Sequence, residues 1–83
     1  MDVPEINRRA PDPPYRQIAA WLRAQIAAGA YPQDVPLPSE NELRDMFGVS
    51  RDSARHAVAV LRDEGLVYTI PTRGTYVIEP RPA

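Results

Sequence analysis

The chain has 83 residues, a formal net charge of −1, 43% hydrophobic and 25% charged side chains. That is the size of one small domain, too short for a two-domain enzyme and expected to bury only ~60% of its unfolded surface. Cysteine is absent, which excludes a disulfide framework or a thiolate centre. No apolar run approaches the ~20 residues of a membrane span, and the N-terminus lacks a secretory apolar core, so a cytoplasmic protein is expected.

All ten basic residues are Arg, and ten more residues are Pro. Guanidinium is a planar donor fork that matches phosphates and guanine edges, although a GC-rich coding genome would produce the same bias. The prolines gather at 4–14, 32–38 and 71–82 and mark where regular structure stops.

Residues 1–12 are polar, carry proline and have no period; they are read as a mobile N-terminal arm. Within it, Arg8 and Arg9 are solvated or touch a phosphate backbone. A first helix is expected from residue 13, with Asp12 as its N-cap and Pro13 in the first turn. Tyr15, Ile18, Ala19, Leu22 and Ile26 form its apolar stripe, and Gly29 ends it. Trp21 lies off the stripe, at the edge of the core or on a partner surface.

The connector 30–38 has three prolines, with a short extended piece expected around 35–37. Ser39-Glu40-Asn41-Glu42 is a capping box, opening a second helix at about 40–47 with Leu43, Met46 and Phe47 inward. Gly48 breaks it, and Ser50 caps a third helix of about 51–64, ended by Gly65. Ala54, Ala57, Val58 and Leu61 make its buried face. At 100° per residue, Arg51, Arg55 and Arg62 fall within a sector of ~40° on the other side, flanked by Asp52 and Ala59. Residues 66–70 and 75–78 are β-branched and aromatic, with the loop Pro71-Thr72-Arg73-Gly74 between them, and they read as a hairpin. The tail 79–83 is expected to fray.

The order helix, helix, sharp turn, helix, hairpin defines a mainly α fold with a small β-hairpin: a winged helix-turn-helix of three helices and a two-stranded antiparallel wing. Such a third helix fits a major groove when its core face is held from behind. Arg51, in its first turn, would reach a base edge or phosphate. Ser50 and Ser53, with the helix N-terminal amides, would hold phosphate oxygens, although a Ser before a helix is also an ordinary cap. Arg73 at the hairpin tip would enter a neighbouring minor groove. His56 is a single imidazole with no ligand partners. No acid–base pair, metal cluster or phosphate-cradling Gly loop occurs, so neither an enzyme nor a cofactor or metal is expected.

Residues 37–77 resemble the DNA-binding domain of the GntR family of bacterial transcription regulators. The resemblance rests on Leu-Pro-Ser-Glu at 37–40, Phe-Gly-Val-Ser-Arg at 47–51, Glu-Gly-Leu at 64–66 and Arg-Gly-Thr-Tyr at 73–76. It implies a winged helix that binds double-stranded operator DNA as a dimer, with contacts from Arg51, Arg55 and the wing around Thr72, Arg73 and Gly74; Ser39 and Asn41 complete the expected set. The chain also departs from the family. Arg44 stands where Ala is common, and its stem must lie along the surface. Asn41 replaces a usual Arg, Asp52 a usual Thr, and Thr72 a usual Gly; Ala59 and Val60 replace polar or basic residues. A carboxylate at Asp52 repels DNA unless it accepts from a cytosine amine or orients Arg55. Residues 50–78 carry four Arg against Asp52, Asp63 and Glu64, a net of +1.

Such regulators usually append a larger effector-binding domain, and no effector pocket is legible in this chain. With Met1 at its start and a plausible tail, the chain reads as a minimal winged helix rather than an excised domain. A weak homodimer through the first helix, using Trp21 or Tyr31, is expected. The competing reading is a protein-interaction winged helix with little or no DNA affinity, for which the acidic balance, Asp52 and Val60 speak.

Overall fold

The computed structural model describes residues 3–78, and the expected fraying of 79–83 lies outside them. Three helices, α1 (Pro14–Ala27), α2 (Glu40–Phe47) and α3 (Arg51–Asp63), precede two strands, β1 (Val67–Ile70) and β2 (Gly74–Val77). The strands pair antiparallel, with Val67 opposite Val77 and Ile70 opposite Gly74. This is the expected winged helix-turn-helix architecture. Among the described residues no helix is long and apolar enough to cross a membrane.

One core joins all five elements. Ile18, Leu22, Leu43, Leu61, Val67 and Val77 are its largest fully buried side chains. They come from the apolar stripe of α1, the inner faces of α2 and α3, and the root of the hairpin. Burying a Leu or Ile of this kind stabilises the fold by roughly 1.5–3 kcal/mol. Ala54 and Ala57 are also fully buried; their small side chains let α3 lie close to its neighbours. Trp21 is half-buried and packs edge-on against Phe47, ring centroids 5.5 Å apart, so it closes the edge of the core.

The expected ends of α2 and α3 hold. Ser39 Oγ accepts from the Glu42 amide while the Glu42 carboxylate accepts from the Ser39 amide, a complete capping box. Gly48 takes φ 65° at the end of α2, a left-handed conformation that a Cβ would strain, and there the chain turns toward α3.

Four local expectations are corrected. Asp12 does not cap α1: Pro13 occupies the N-cap position with no side-chain bond, and Pro14 is the first helical residue. With two prolines at its start, α1 loses amide donors that a cap would otherwise have to satisfy. The Asp12 carbonyl instead accepts from Gln17 Nε2 at 2.8 Å. Met46 does not point inward and is 37% exposed; Leu43 and Phe47, one turn apart, already fill the inner face of α2. The hairpin closes one residue earlier than expected, because Gly74 pairs with Ile70 and leaves a three-residue loop at 71–73. Residues 35–37 form no strand, although the Leu37 amide donates to the Thr75 carbonyl at 2.8 Å, which fastens the connector to β2.

Residues 3–10 lie against the body. Val3 and Ile6 pack on the core, the Asn7 amide donates to Gln17 Oε1, and Gln17 Nε2 donates to the Asn7 carbonyl. Arg8 Nη2 donates to the Gly48 carbonyl at 3.1 Å.

Candidate nucleic-acid interface

The candidate surface is built on α3 and the wing. The core residues of α3 fix its rotation, and that rotation turns Arg51, Arg55 and Arg62 outward; all three are exposed. Each has a partner. Arg51 Nη2 donates to Asn41 Oδ1 on α2 at 2.9 Å. Arg55 Nη2 is paired with Asp52 Oδ1, one turn earlier on the same helix. Arg62 Nη1 donates to Thr69 Oγ1 on β1 at 2.8 Å, and Thr69 Oγ1 lies 3.0 Å from Thr75 Oγ1 on β2. The Arg row therefore divides by partner: at the start of α3 one guanidinium bonds to α2 and one to its own helix, and the third leans onto the wing. That division is invisible in the helical angle alone, because it depends on which polar side chains the tertiary fold brings near.

Ser50 is the α3 cap. Its Oγ accepts from the Ser53 amide at 3.1 Å, and its hydroxyl donates to Ser53 Oγ at 3.2 Å. Asp52 in the first turn also complements the positive end of the helix. Asn41 is exposed, and with its oxygen turned to Arg51 its amide nitrogen stays open to a phosphate.

At the wing tip the Arg73 amide donates to the Ile70 carbonyl at 3.0 Å, closing a turn whose middle residues are Pro71 and Thr72. Thr72 has φ 65°, the one non-Gly residue with positive φ among those described. A turn with Pro second and positive φ third is of type II, and Gly is its usual third residue. Thr72 holds the position with its hydroxyl donating to the Pro71 carbonyl at 2.6 Å. Gly74 has φ 136°, and a Cβ there would stand 3.4 Å from the Pro36 Cβ. Arg73 is thus carried on a turn whose shape is set on both sides, and its side chain is exposed. A cleft of about 420 Å³ runs between the wing and the helices, lined among others by Ser39, Arg62, Thr69, Thr72 and Arg73.

The expected site residues therefore fall into two groups. Asn41, Ser50, Arg51, Ser53 and Arg55 stand at the start of α3 and beside it. Ser39, Thr72, Arg73 and Gly74 border the cleft under the wing. Arg62 joins the second group, a role its place in the Arg row did not reveal. Arg44 lies half-buried along the surface of α2, 3.3 Å from Asp45, as its long stem requires. His56 is stacked on Tyr15, ring centroids 3.7 Å apart and planes nearly parallel, which ties α3 to the start of α1. The Arg23 and Glu64 side chains make a second such tie at 2.7 Å; the hydrogen bond to Glu64 holds the Arg23 guanidinium above its usual pKa. Both partners are well exposed, so the tie adds about 0–1 kcal/mol.

Three helices, a glycine turn and a β-wing carrying an exposed Arg define the winged helix-turn-helix class. The sequence profile described as "Bacterial regulatory proteins, gntR family" matches residues 14–77, and the chain belongs to that family. It is 45% identical over 76 residues to the HTH-type transcriptional repressor NagR of Bacillus subtilis, covering 92% of this chain and 31% of that protein. To the mannosyl-D-glycerate transport/metabolism system repressor MngR of Escherichia coli it is 44% identical over 69 residues, covering 83% and 29%. Its fold matches the DNA-binding domain of AraR in complex with operator ORX1 with a TM-score of 0.83 and 31% identity, covering 94% of this chain and 99% of that one. The chain thus spans about three-tenths of the length of these two repressors.

Proposed function

We propose that this chain is the DNA-binding unit of a transcription regulator acting on bacterial genomic DNA in the cytoplasm. In this reading residues 13–78 are the winged-helix unit and residues 1–12 an N-terminal arm. Helix α3 enters the major groove, Arg51 and Arg55 address base edges, and Arg73 on the wing reaches the adjacent minor groove. Asn41, Ser39, Ser53 and the first amides of α3 take phosphates, Ser50 caps the helix that carries them, and Thr72 and Gly74 shape the wing tip. The observation that carries the reading is the pairing of an outward Arg51 and Arg55 on α3 with a hydrogen-bonded wing turn presenting Arg73. A related domain of the same fold has been crystallised on its operator.

Two copies on paired half-sites about one DNA turn apart would raise affinity through effective concentration. A weak homodimer using α1 is therefore part of the proposal. Trp21 and Tyr31 both pack partly on the core, which limits how much surface each offers a second copy. The specific observation on the other side is the net charge of −1, which suits a protein partner better than a polyanion.

Fluorescence anisotropy on duplexes selected from a random pool decides between them. Arg51→Ala and Arg55→Ala should each weaken the selected site by ~1–3 kcal/mol if these side chains read bases. Unchanged affinity in both variants would overturn base reading by Arg51 and Arg55, and a wild type that selects no duplex would overturn the DNA reading in favour of protein interaction. Sedimentation that finds a strict monomer, free and on DNA, would remove the dimer.

A further inference from the structure

A carboxylate on a surface meant for DNA ordinarily weakens it. Asp52 stands in the first turn of α3, between Arg51 and Ser53, and is 86% exposed. The favourable field of the helix N-terminus accounts for an acidic residue somewhere in this turn. It does not account for the contact that Asp52 makes. Its Oδ1 is paired with Nη2 of Arg55, which is itself 58% exposed. An exposed pair of this kind adds little to folding. What it does is restrict a long side chain that otherwise samples many rotamers. The guanidinium has five N–H donors, and the contact uses one of them. The rest of the fork stays free for a planar, two-acceptor partner, and Oδ2 of Asp52 stays open to solvent as an acceptor.

We propose that Asp52 is a specificity-determining residue of the recognition helix, an inference that rests on the DNA-binding reading. It holds Arg55 so that the guanidinium addresses N7 and O6 of a guanine, and its second oxygen accepts from the exocyclic amine of a neighbouring cytosine or adenine. A free Arg at position 55 would also satisfy itself on phosphates, which carry no sequence information. Asp52 repels those phosphates and so spends general affinity to gain selectivity. Arg51 differs in this respect: its partner is the neutral Asn41, which neither repels phosphate nor competes strongly for the fork.

The test compares the wild-type chain with Asp52→Asn, Arg55→Ala and the double variant by anisotropy at one salt concentration. The duplexes are the site that the wild type selects from a random pool, its single-base substitutions, and an unrelated sequence. Asp52→Asn should lose on the order of tenfold on the selected site. The loss should centre on one guanine and its neighbour, the same positions that Arg55→Ala affects. The double variant should lose less than the two single losses combined, because part of the Asp52 effect acts through Arg55. On the unrelated duplex Asp52→Asn should bind as well as the wild type or better, since a negative charge is gone. Uniformly tighter binding to every duplex with base preference unchanged would overturn the proposal and make Asp52 a mere repulsive bystander. A wild type that selects no sequence at all would sink the DNA reading, and this inference with it. Thermal melts should place Arg55→Ala close to the wild type, because the pair is exposed, and Asp52→Asn slightly lower, because its carboxylate also complements the N-terminus of α3.

Discussion

The Arg8 guanidinium donates to the carbonyl of Gly48, 40 residues further along the chain, at 3.1 Å. Gly48 ends α2 in a left-handed conformation, and the end of a helix leaves carbonyls without intrahelical partners. Arg8 supplies one donor there and so links the N-terminal segment to the helix-turn-helix turn. Replacing Arg8 with Ala should lower stability by about 0.5–1 kcal/mol, the range for an exposed, charge-assisted hydrogen bond. The urea midpoint measures this. If Arg8 served only a phosphate, the midpoint would stay put and the salt dependence of DNA binding would fall instead.

The wing tip offers a paired test. Gly74→Ala places a Cβ against Pro36 at φ 136° and should cost roughly 1–3 kcal/mol. Thr72→Gly removes a β-branched residue from positive φ. The relief of about 1–2 kcal/mol is offset by the ~0.4–1 kcal/mol of extra freedom that Gly brings to the unfolded chain. A small gain, or no change, is the expected melting result. A clear loss at Thr72→Gly would show that the Thr72 hydroxyl contact outweighs the backbone strain.

The salt dependence should be shallow. Residues 50–78 have a net charge of only +1, and Arg55 and Arg62 are already engaged by protein partners. About 2–4 phosphate contacts per subunit are expected, a slope of log affinity against log salt of roughly −2 to −4 per subunit. A slope corresponding to about eight contacts would contradict the electrostatic picture drawn from this surface.

Tyr31 gives a pH prediction. Burial, and secondarily the nearby Glu42 carboxylate, hold its phenol above the ordinary value of 10.0. The folded state therefore keeps the proton where the unfolded state has begun to release it. Its contribution to stability is complete below the ordinary value and is lost as pH rises through the folded one. Denaturation at a series of pH values should show stability falling above about pH 10, and Tyr31→Phe should flatten that fall. An identical decline in both proteins would place its origin elsewhere.

Much of this architecture is legible in the residue pattern because it depends on local chemistry. The α2 capping box, the helix-ending glycines and the buried face of α3 follow from spacing and side-chain type alone. The misreadings have physical causes. Asp12 has the right chemistry for a cap but stands one residue before Pro13, which takes that place. Met46 is apolar yet surplus to a face that Leu43 and Phe47 complete. Val3 and Ile6 lie in a polar segment without period, so their packing is set by the surface they meet and not by their own spacing. On the candidate interface the outward turn of the Arg row was readable. The partners Asn41 and Thr69 were not, because they come from other elements and only the tertiary fold brings them within reach.

Leu37 is fully seated in the core, two residues ahead of the cap of α2, and its amide is held by Thr75 of the wing. The hairpin is thus moored on its far side as well as through its own strands. A pull on the tip is shared with the entry to α2, so the finger and its scaffold move as one lever instead of a ribbon hinged in solvent.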